Sequence, residues 1–131
     1  MKTPYILCVD DDKTILMSLK AQLKYRLGST FNYEIAESAE EAWEVIDDLM
    51  ENNEQIAVII SDWIMPNVKG DEFLISVHEK HPDIIKLILT GHADDQAISR
   101  AKTQANLSGC LIKPWSVDEL IDIIESALEI I

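Results

Sequence analysis

The feature that most restricts the fold of this chain is an alternation. Five short apolar runs are separated by longer stretches whose apolar residues recur at helical spacing. Residues 5–9 are a continuous apolar run, the pattern of a strand buried on both faces. Residues 13–27 carry Ile15, Leu16, Leu19, Leu23 and Leu27 on one helical stripe, and Gly28 follows as a stop. Residues 31–36 read as a second strand. Ser38 then opens a helix with Glu41 three residues on, a capping box, and this helix buries Ala42, Val45, Ile46, Leu49 and Met50. Ile56 to Ile60 form a third strand ending at Ser61-Asp62, and a loop with Pro66 and Gly70 follows. Phe73, Leu74 and Val77 mark a short helix stopped near Pro82. A fourth strand runs from Ile84 to Leu89 and ends at Thr90. Residues 95–106 read as a weaker helix with Ala97, Ile98, Ala101 and Ala105 on one side, and Cys110 to Ile112 are the fifth strand. Ser116, with Glu119, opens the last helix, whose stripe is Val117, Leu120, Ile121, Ile124, Leu128 and Ile131. Five strand–helix units in this order predict an α/β fold: a parallel sheet with right-handed crossovers and helices on both faces.

The 131 residues are one domain's worth of chain, 47% hydrophobic and 27% charged, a globular balance. With 24 acidic and 11 basic side chains the formal charge is −13, which repels nucleic acid and suits a cationic partner or a bound divalent cation. Cys8 and Cys110 both lie in apolar runs and read as buried thiols rather than a disulfide framework. No secretory signal is visible, and no stretch approaches the ~20 apolar residues of a membrane span. A reducing, cytoplasmic location is the expectation.

In an open parallel sheet, ligands bind beyond the carboxyl ends of the strands, where the winding direction changes. The residues that follow the strands are therefore the informative ones. Asp10, Asp11 and Asp12 follow the first, Asp62 the third, Thr90 the fourth and Lys113 the fifth. Like charges ~4 Å apart cost on the order of 4 kcal/mol at an effective dielectric near 20, and a hard divalent cation such as Mg2+ removes that cost through oxygen ligands. In such a pocket Asp62 can act as a nucleophile toward a phosphoryl group, with Lys113 pairing to one phosphoryl oxygen and the Thr90 hydroxyl bonding another. Singly, these residues have ordinary roles: Asp12 is well placed as the N-cap of the first helix, Asp62 could cap a turn, Thr90 could sit in one, and Lys113 could be a surface cation. Their joint order on successive strand ends is what carries the reading.

Four segments give the chain a family resemblance: Ile6-Leu7-Cys8-Val9-Asp10-Asp11-Asp12, Ile59-Ile60-Ser61-Asp62-Trp63-Ile64-Met65-Pro66, Leu87-Ile88-Leu89-Thr90-Gly91 and Leu111-Ile112-Lys113-Pro114-Trp115. Over nearly its whole length the chain resembles the receiver domains of two-component response regulators. The resemblance implies a flavodoxin-like, doubly wound five-stranded parallel sheet of order 2-1-3-4-5 with five helices. It implies Asp62 as phosphoacceptor, Asp11 and Asp62 as direct Mg2+ ligands, Asp10 acting through water, and the Ile64 carbonyl as a further ligand. Thr90 would move toward the phosphoryl group, Lys113 would contact it, and the Lys113-Pro114 bond would be cis. The donor would be a phosphohistidine on a sensor histidine kinase or phosphotransfer protein. The output surface, and a homodimer face, would be formed by the fourth helix, fifth strand and fifth helix. Such a domain assists its own phosphorylation and dephosphorylation without being a dedicated enzyme.

The chain departs from the family pattern in three places. Cys110 stands where the family carries its switch aromatic, which puts an aromatic rotamer switch in doubt. Ile64, two residues past the acceptor, is apolar and would hinder an attacking water, so slow loss of the phosphoryl group is expected. Gly91 replaces a more usual alanine or serine. A rival enzyme reading also exists: Asp10-Asp11-Asp12-Lys13-Thr14 fits the D-x-D-x-T motif of haloacid-dehalogenase-type phosphatases, with Asp10 as nucleophile and Asp12 as general acid. The chain is short for that family, and Asp62 would have no role. A domain that only binds partners is a second rival, opposed by the presence of every key side chain. His78, His81 and His92 read as surface residues. Ile123, Ala127 and Ile130 form a second apolar strip on the last helix, suited to a dimer face, to a helix leading into an output domain, or to ordinary packing. The chain is thus one receiver domain over residues 1–131, or the N-terminal part of a longer protein. The wording around Leu89-Thr90-Gly91-His92 and Lys113-Pro114-Trp115 resembles receivers joined to cyclic-dinucleotide phosphodiesterase domains.

Overall fold

The computed structural model describes residues 2–63, 65, 67–91, 99 and 103–128. The five apolar runs become β1 (Tyr5–Val9), β2 (Asn32–Ala36), β3 (Ile56–Asp62), β4 (Ile85–Thr90) and β5 (Gly109–Ile112). They form one sheet of order β2-β1-β3-β4-β5, and every pairing is parallel. The amphipathic stretches become α1 (Lys13–Leu27), α2 (Ala39–Glu51), α3 (Gly70–Lys80) and α4 (Val117–Leu128). Four helices, rather than the expected five, are therefore seen among the described residues. The helix expected over 95–106 lies largely outside them, and α4 corresponds to the fifth helix of the sequence reading.

Period-two alternation explains how the strands serve two cores. Leu7 and Val9 of β1 face the cluster built on α2 and α3, with Ile46, Phe73, Leu74 and Val77. Ile6 and Cys8, their neighbours in sequence, face the opposite cluster built on α1 and α4, with Leu16, Leu23, Leu120 and Ile124. Both faces of the sheet are thus covered, as the unbroken apolar runs require. One interior strand position breaks the run. Lys86 is buried in β4, and its ammonium donates to the carbonyls of Pro82 at 3.4 Å and Ile84 at 2.5 Å. Burial pushes its pKa down, and Asp83 works in the other direction. The sequence pattern marked it only as one more strand residue.

Caps set the helix boundaries. The Asp12 carboxylate accepts the N–H groups of Thr14 at 2.9 Å and Ile15 at 3.4 Å, so Asp12 is the N-cap of α1, as its position suggested. The Ser38 and Ser116 hydroxyls accept the N–H groups of Glu41 and Glu119 at 3.0 and 3.3 Å. α1 ends at Gly28, whose φ of +59° is the left-handed region that glycine enters without strain, and a short 3-10 turn (Gly28–Thr30) follows. Cys8 is buried as expected, but Cys110 is half-buried, because β5 is an edge strand with no strand beyond it among the described residues.

The strand order positions the site. β1 lies between β2 and β3, so the direction of winding reverses after β2 and opens a crevice at the carboxyl ends of β1 and β3. Val9 is in register with Ser61, which brings the next residues, Asp10 and Asp62, side by side. The capping of α2 is directly testable. Ser38→Ala is expected to lower stability by about 1 kcal/mol in urea unfolding, and a change below about 0.3 kcal/mol would show that the cap contributes little.

Candidate functional site

Asp10 follows β1 and is buried. One carboxylate oxygen accepts the Asp12 N–H at 2.9 Å, and the other accepts the Lys113 ammonium at 2.8 Å. Asp62 is the last residue of β3, at the Ser61-Asp62 end read from sequence, and is also buried. It too accepts from Lys113, at 3.3 Å. Asp11 is exposed beside them, and each of Asp10, Asp11 and Asp62 offers a carboxylate oxygen within 4.8 Å of the others. Thr90 ends β4 and is fully buried, and its carbonyl accepts the Lys113 backbone N–H at 2.7 Å. That bond fixes the start of the Lys113 side chain next to β4. The Lys113-Pro114 peptide is cis, as expected. Five residues separated by as many as 103 positions therefore meet at one end of the sheet. Ile64, whose carbonyl was expected to join them, lies outside the described residues, as does His92.

The electrostatics of the pocket are opposed. Burial pushes the Asp62 pKa up, the neighbouring Asp10 charge pushes it further, and Lys113 offsets only part of this. For Lys113 burial acts against the charge, but the hydrogen bonds and charges of Asp10 and Asp62 prevail and raise its pKa. One ammonium thus serves two carboxylates while a third stands exposed beside them. The donor set is all oxygen and net negative, which fits a hard divalent cation and no soft metal.

Several residues around the acceptor position were not singled out from sequence. The buried Ser61 hydroxyl donates to the Asp62 carbonyl at 2.9 Å. Trp63 is buried, and its indole N–H donates to the buried Asp71 carboxylate at 3.1 Å. The Gly70 N–H donates to the Trp63 carbonyl at 2.8 Å. A Cβ at position 70 would sit 1.9 Å from the Asp62 carbonyl oxygen, so no other residue fits there. Gly70 was visible in the sequence only as a loop glycine. The Trp63–Asp71 pair spans a loop and has no periodic signature.

The comparisons with known proteins agree with this geometry. Residues 6–125 match the family described as response regulator receiver domain, and the chain belongs to that family. It is 30% identical to the hydrogenase transcriptional regulatory protein HoxA of Cupriavidus necator over 98% of its own length and 25% of that protein. It is also 30% identical to a chemotaxis protein CheY homolog of Campylobacter jejuni, over 94% of this chain and 91% of that one. Among solved structures, the signal receiver domain of an HD domain-containing protein from Pseudomonas fluorescens superposes with a TM-score of 0.86 at 26% identity, covering 98% of this chain and 96% of that one. The chain spans only about a quarter of the first of these relatives and nearly all of the chemotaxis homolog. Nothing in the comparisons supports the phosphatase alternative, and Asp12, its general acid, is occupied as a helix cap.

The raised Asp62 pKa has a definite sign in stability. The folded state holds that proton more tightly than the unfolded state, so the favourable contribution exists at low pH and is lost as pH rises through the folded value. At neutral pH and without divalent cations, Asp62→Asn is expected to raise the melting temperature by about 3–5 °C, roughly 1 kcal/mol for a domain of this size. The gain should shrink as the pH is lowered into the range where Asp62 takes up its proton. A variant that melts lower than the parent at neutral pH would contradict the electrostatic reading.

Proposed function

We propose that residues 1–131 form one phosphoaccepting receiver domain, in which Asp62 takes a phosphoryl group from a phosphohistidine on a sensor histidine kinase or phosphotransfer protein. The observation that carries this is the placement of the buried Asp62 carboxylate within reach of both Lys113 and the Asp10–Asp11 pair. An Asp62 carboxylate oxygen attacks phosphorus, the P–N bond to the donor imidazole breaks, and the imidazole keeps the bonding electrons and takes a proton. Lys113 lies where it can pair with a phosphoryl oxygen of the product, and Thr90, held at the adjacent strand end, supplies a hydroxyl to another. Mg2+ would be held by Asp10, Asp11, Asp62 and the Ile64 carbonyl, and would there supply charge neutralisation for the transferring group. Asp10, already bonded to Lys113 and the Asp12 amide, suits an indirect role through water.

The domain acts as a switch that assists its own phosphorylation and dephosphorylation, not as a dedicated enzyme. Its place is the cytoplasm, where its donors present their phosphohistidines. No described helix is long and apolar enough to cross a membrane. The switched surface is that of the expected fourth helix, β5 and α4, where a homodimer would also form. Its support is the edge position of β5 and the exposure of Ile112, 65% open to solvent. The net charge of −13 argues against nucleic acid as a direct ligand of this domain.

Incubation with acetyl phosphate and Mg2+, followed by peptide mapping in a mass spectrometer, should give one phosphoryl adduct on Asp62. It should be absent in Asp62→Asn or with excess chelator. An adduct on Asp10 instead would overturn the assignment and revive the phosphatase alternative. Ile64→Asn should shorten the lifetime of the adduct by admitting water beside it, and an unchanged lifetime would remove Ile64 as the brake.

A further inference from the structure

We infer that Asp71 is a positioning residue for the Asp62 centre, acting through Trp63. The inference rests on the reading of Asp62 as phosphoacceptor and metal ligand. Asp71 is the second residue of α3 and 1% exposed. A buried carboxylate is costly unless it is well bonded, and an apolar side chain would fill a core position without that cost. This carboxylate sits in the first turn of a helix, where the backbone dipoles favour negative charge. It accepts the indole N–H of Trp63 at 3.1 Å, a donor that itself needs a partner once buried.

The pair matters because of what Trp63 adjoins. Trp63 follows Asp62 directly, and it precedes Ile64, whose carbonyl the proposed function assigns to the metal. Two consecutive residues of α3 grip it from two sides: Gly70 through the main-chain carbonyl at 2.8 Å, and Asp71 through the indole. The missing side chain at position 70 lets the helix start lie directly on the Asp62–Trp63 peptide, with the Asp62 carbonyl occupying the space of a Cβ. α3 therefore cannot shift at its first turn without moving that peptide. Loss of the Asp71 bond frees the indole and loosens the hold of α3 on Trp63, the residue directly after the Asp62 acceptor, while the main-chain bond from Gly70 remains. Outer groups that orient metal ligands in this way change metal affinity when removed, by roughly 10- to 100-fold.

The test measures metal binding without any phosphodonor. Mn2+ binding to the full 131-residue chain is followed by the electron paramagnetic resonance signal of the free ion, alongside Mg2+-dependent labelling by acetyl phosphate and a thermal melt. Asp71→Ala should weaken Mn2+ binding by about tenfold and raise the Mg2+ concentration for half-maximal labelling by a similar factor. Asp71→Asn keeps an oxygen acceptor for the indole and should recover binding to within about threefold of the parent. Trp63→Phe should match Asp71→Ala, and the double variant should be no worse than either alone, since both remove one bond. If Asp71→Ala does not fold, Trp63→Phe carries the same comparison. A folded variant that melts lower yet binds Mn2+ as the parent does would reduce the pair to a structural contact and overturn the inference. Absence of any label on the parent's Asp62 would instead count against the proposed function.

Discussion

The site depends on a single conflict: two buried carboxylates and a third at the rim are held together with one ammonium between them. Asp10 and Asp62 are neighbours because β1 and β3 pair in register, not because they attract each other. Their repulsion is sustained by the sheet, whose interior is a nearly continuous set of apolar strand residues. Lys113 bridges both carboxylates and is itself fastened by its backbone N–H to the end of β4. The pocket is thus assembled against electrostatic preference by hydrophobic packing elsewhere, and its residual negative charge suits a divalent cation, which the proposed phosphoryl transfer would need to offset the repulsion of an anionic group.

That arrangement explains why the functional groups sit at strand ends rather than within helices. Strand residues are over-determined by pairing on both sides, so a side chain at the last residue is aimed within narrow limits. Asp62 gains further definition from its own carbonyl, which accepts the Ser61 hydroxyl and lies against Gly70. Thr90 and Lys113 come from the adjacent pair β4 and β5, where Thr90 is in register with Ile112. β5 is an edge of the sheet, with exposed Ile112 and half-buried Cys110, so the strand that delivers Lys113 also reaches the surface. A change at the pocket and a change at that edge are mechanically close.

Much of this was legible in the sequence because it follows from periodicity and from chain order. The strands, three of the four described helices' capping residues and the convergence of Asp10, Asp62, Thr90 and Lys113 all follow from patterns that local residues dictate. Asp12, Ser38 and Ser116 announce helix starts by their side-chain chemistry, and each accepts a backbone N–H as expected. What escaped were interactions that depend on a partner set by tertiary structure. Lys86 looks like any strand residue until its ammonium is found on the carbonyls of Pro82 and Ile84. Asp71 looks like a favourable first-turn acid, and only the folded loop brings the Trp63 indole to it. Cys110 read as buried because its run is apolar, whereas its place on an edge strand leaves it half-buried.

The central claim is that the acidic pocket is strained without a cation and relieved by one. It is tested most directly by melting the protein at increasing Mg2+, from none to about 10 mM, at neutral pH and constant ionic strength. A ligand that binds only the folded state stabilises it logarithmically once its concentration passes the dissociation constant. The account predicts a melting temperature that rises along that curve in the parent chain and stays nearly flat when Asp10 and Asp11 are both replaced by asparagine. A parent curve that is flat across the range, or a rise that survives in the double variant, would contradict it.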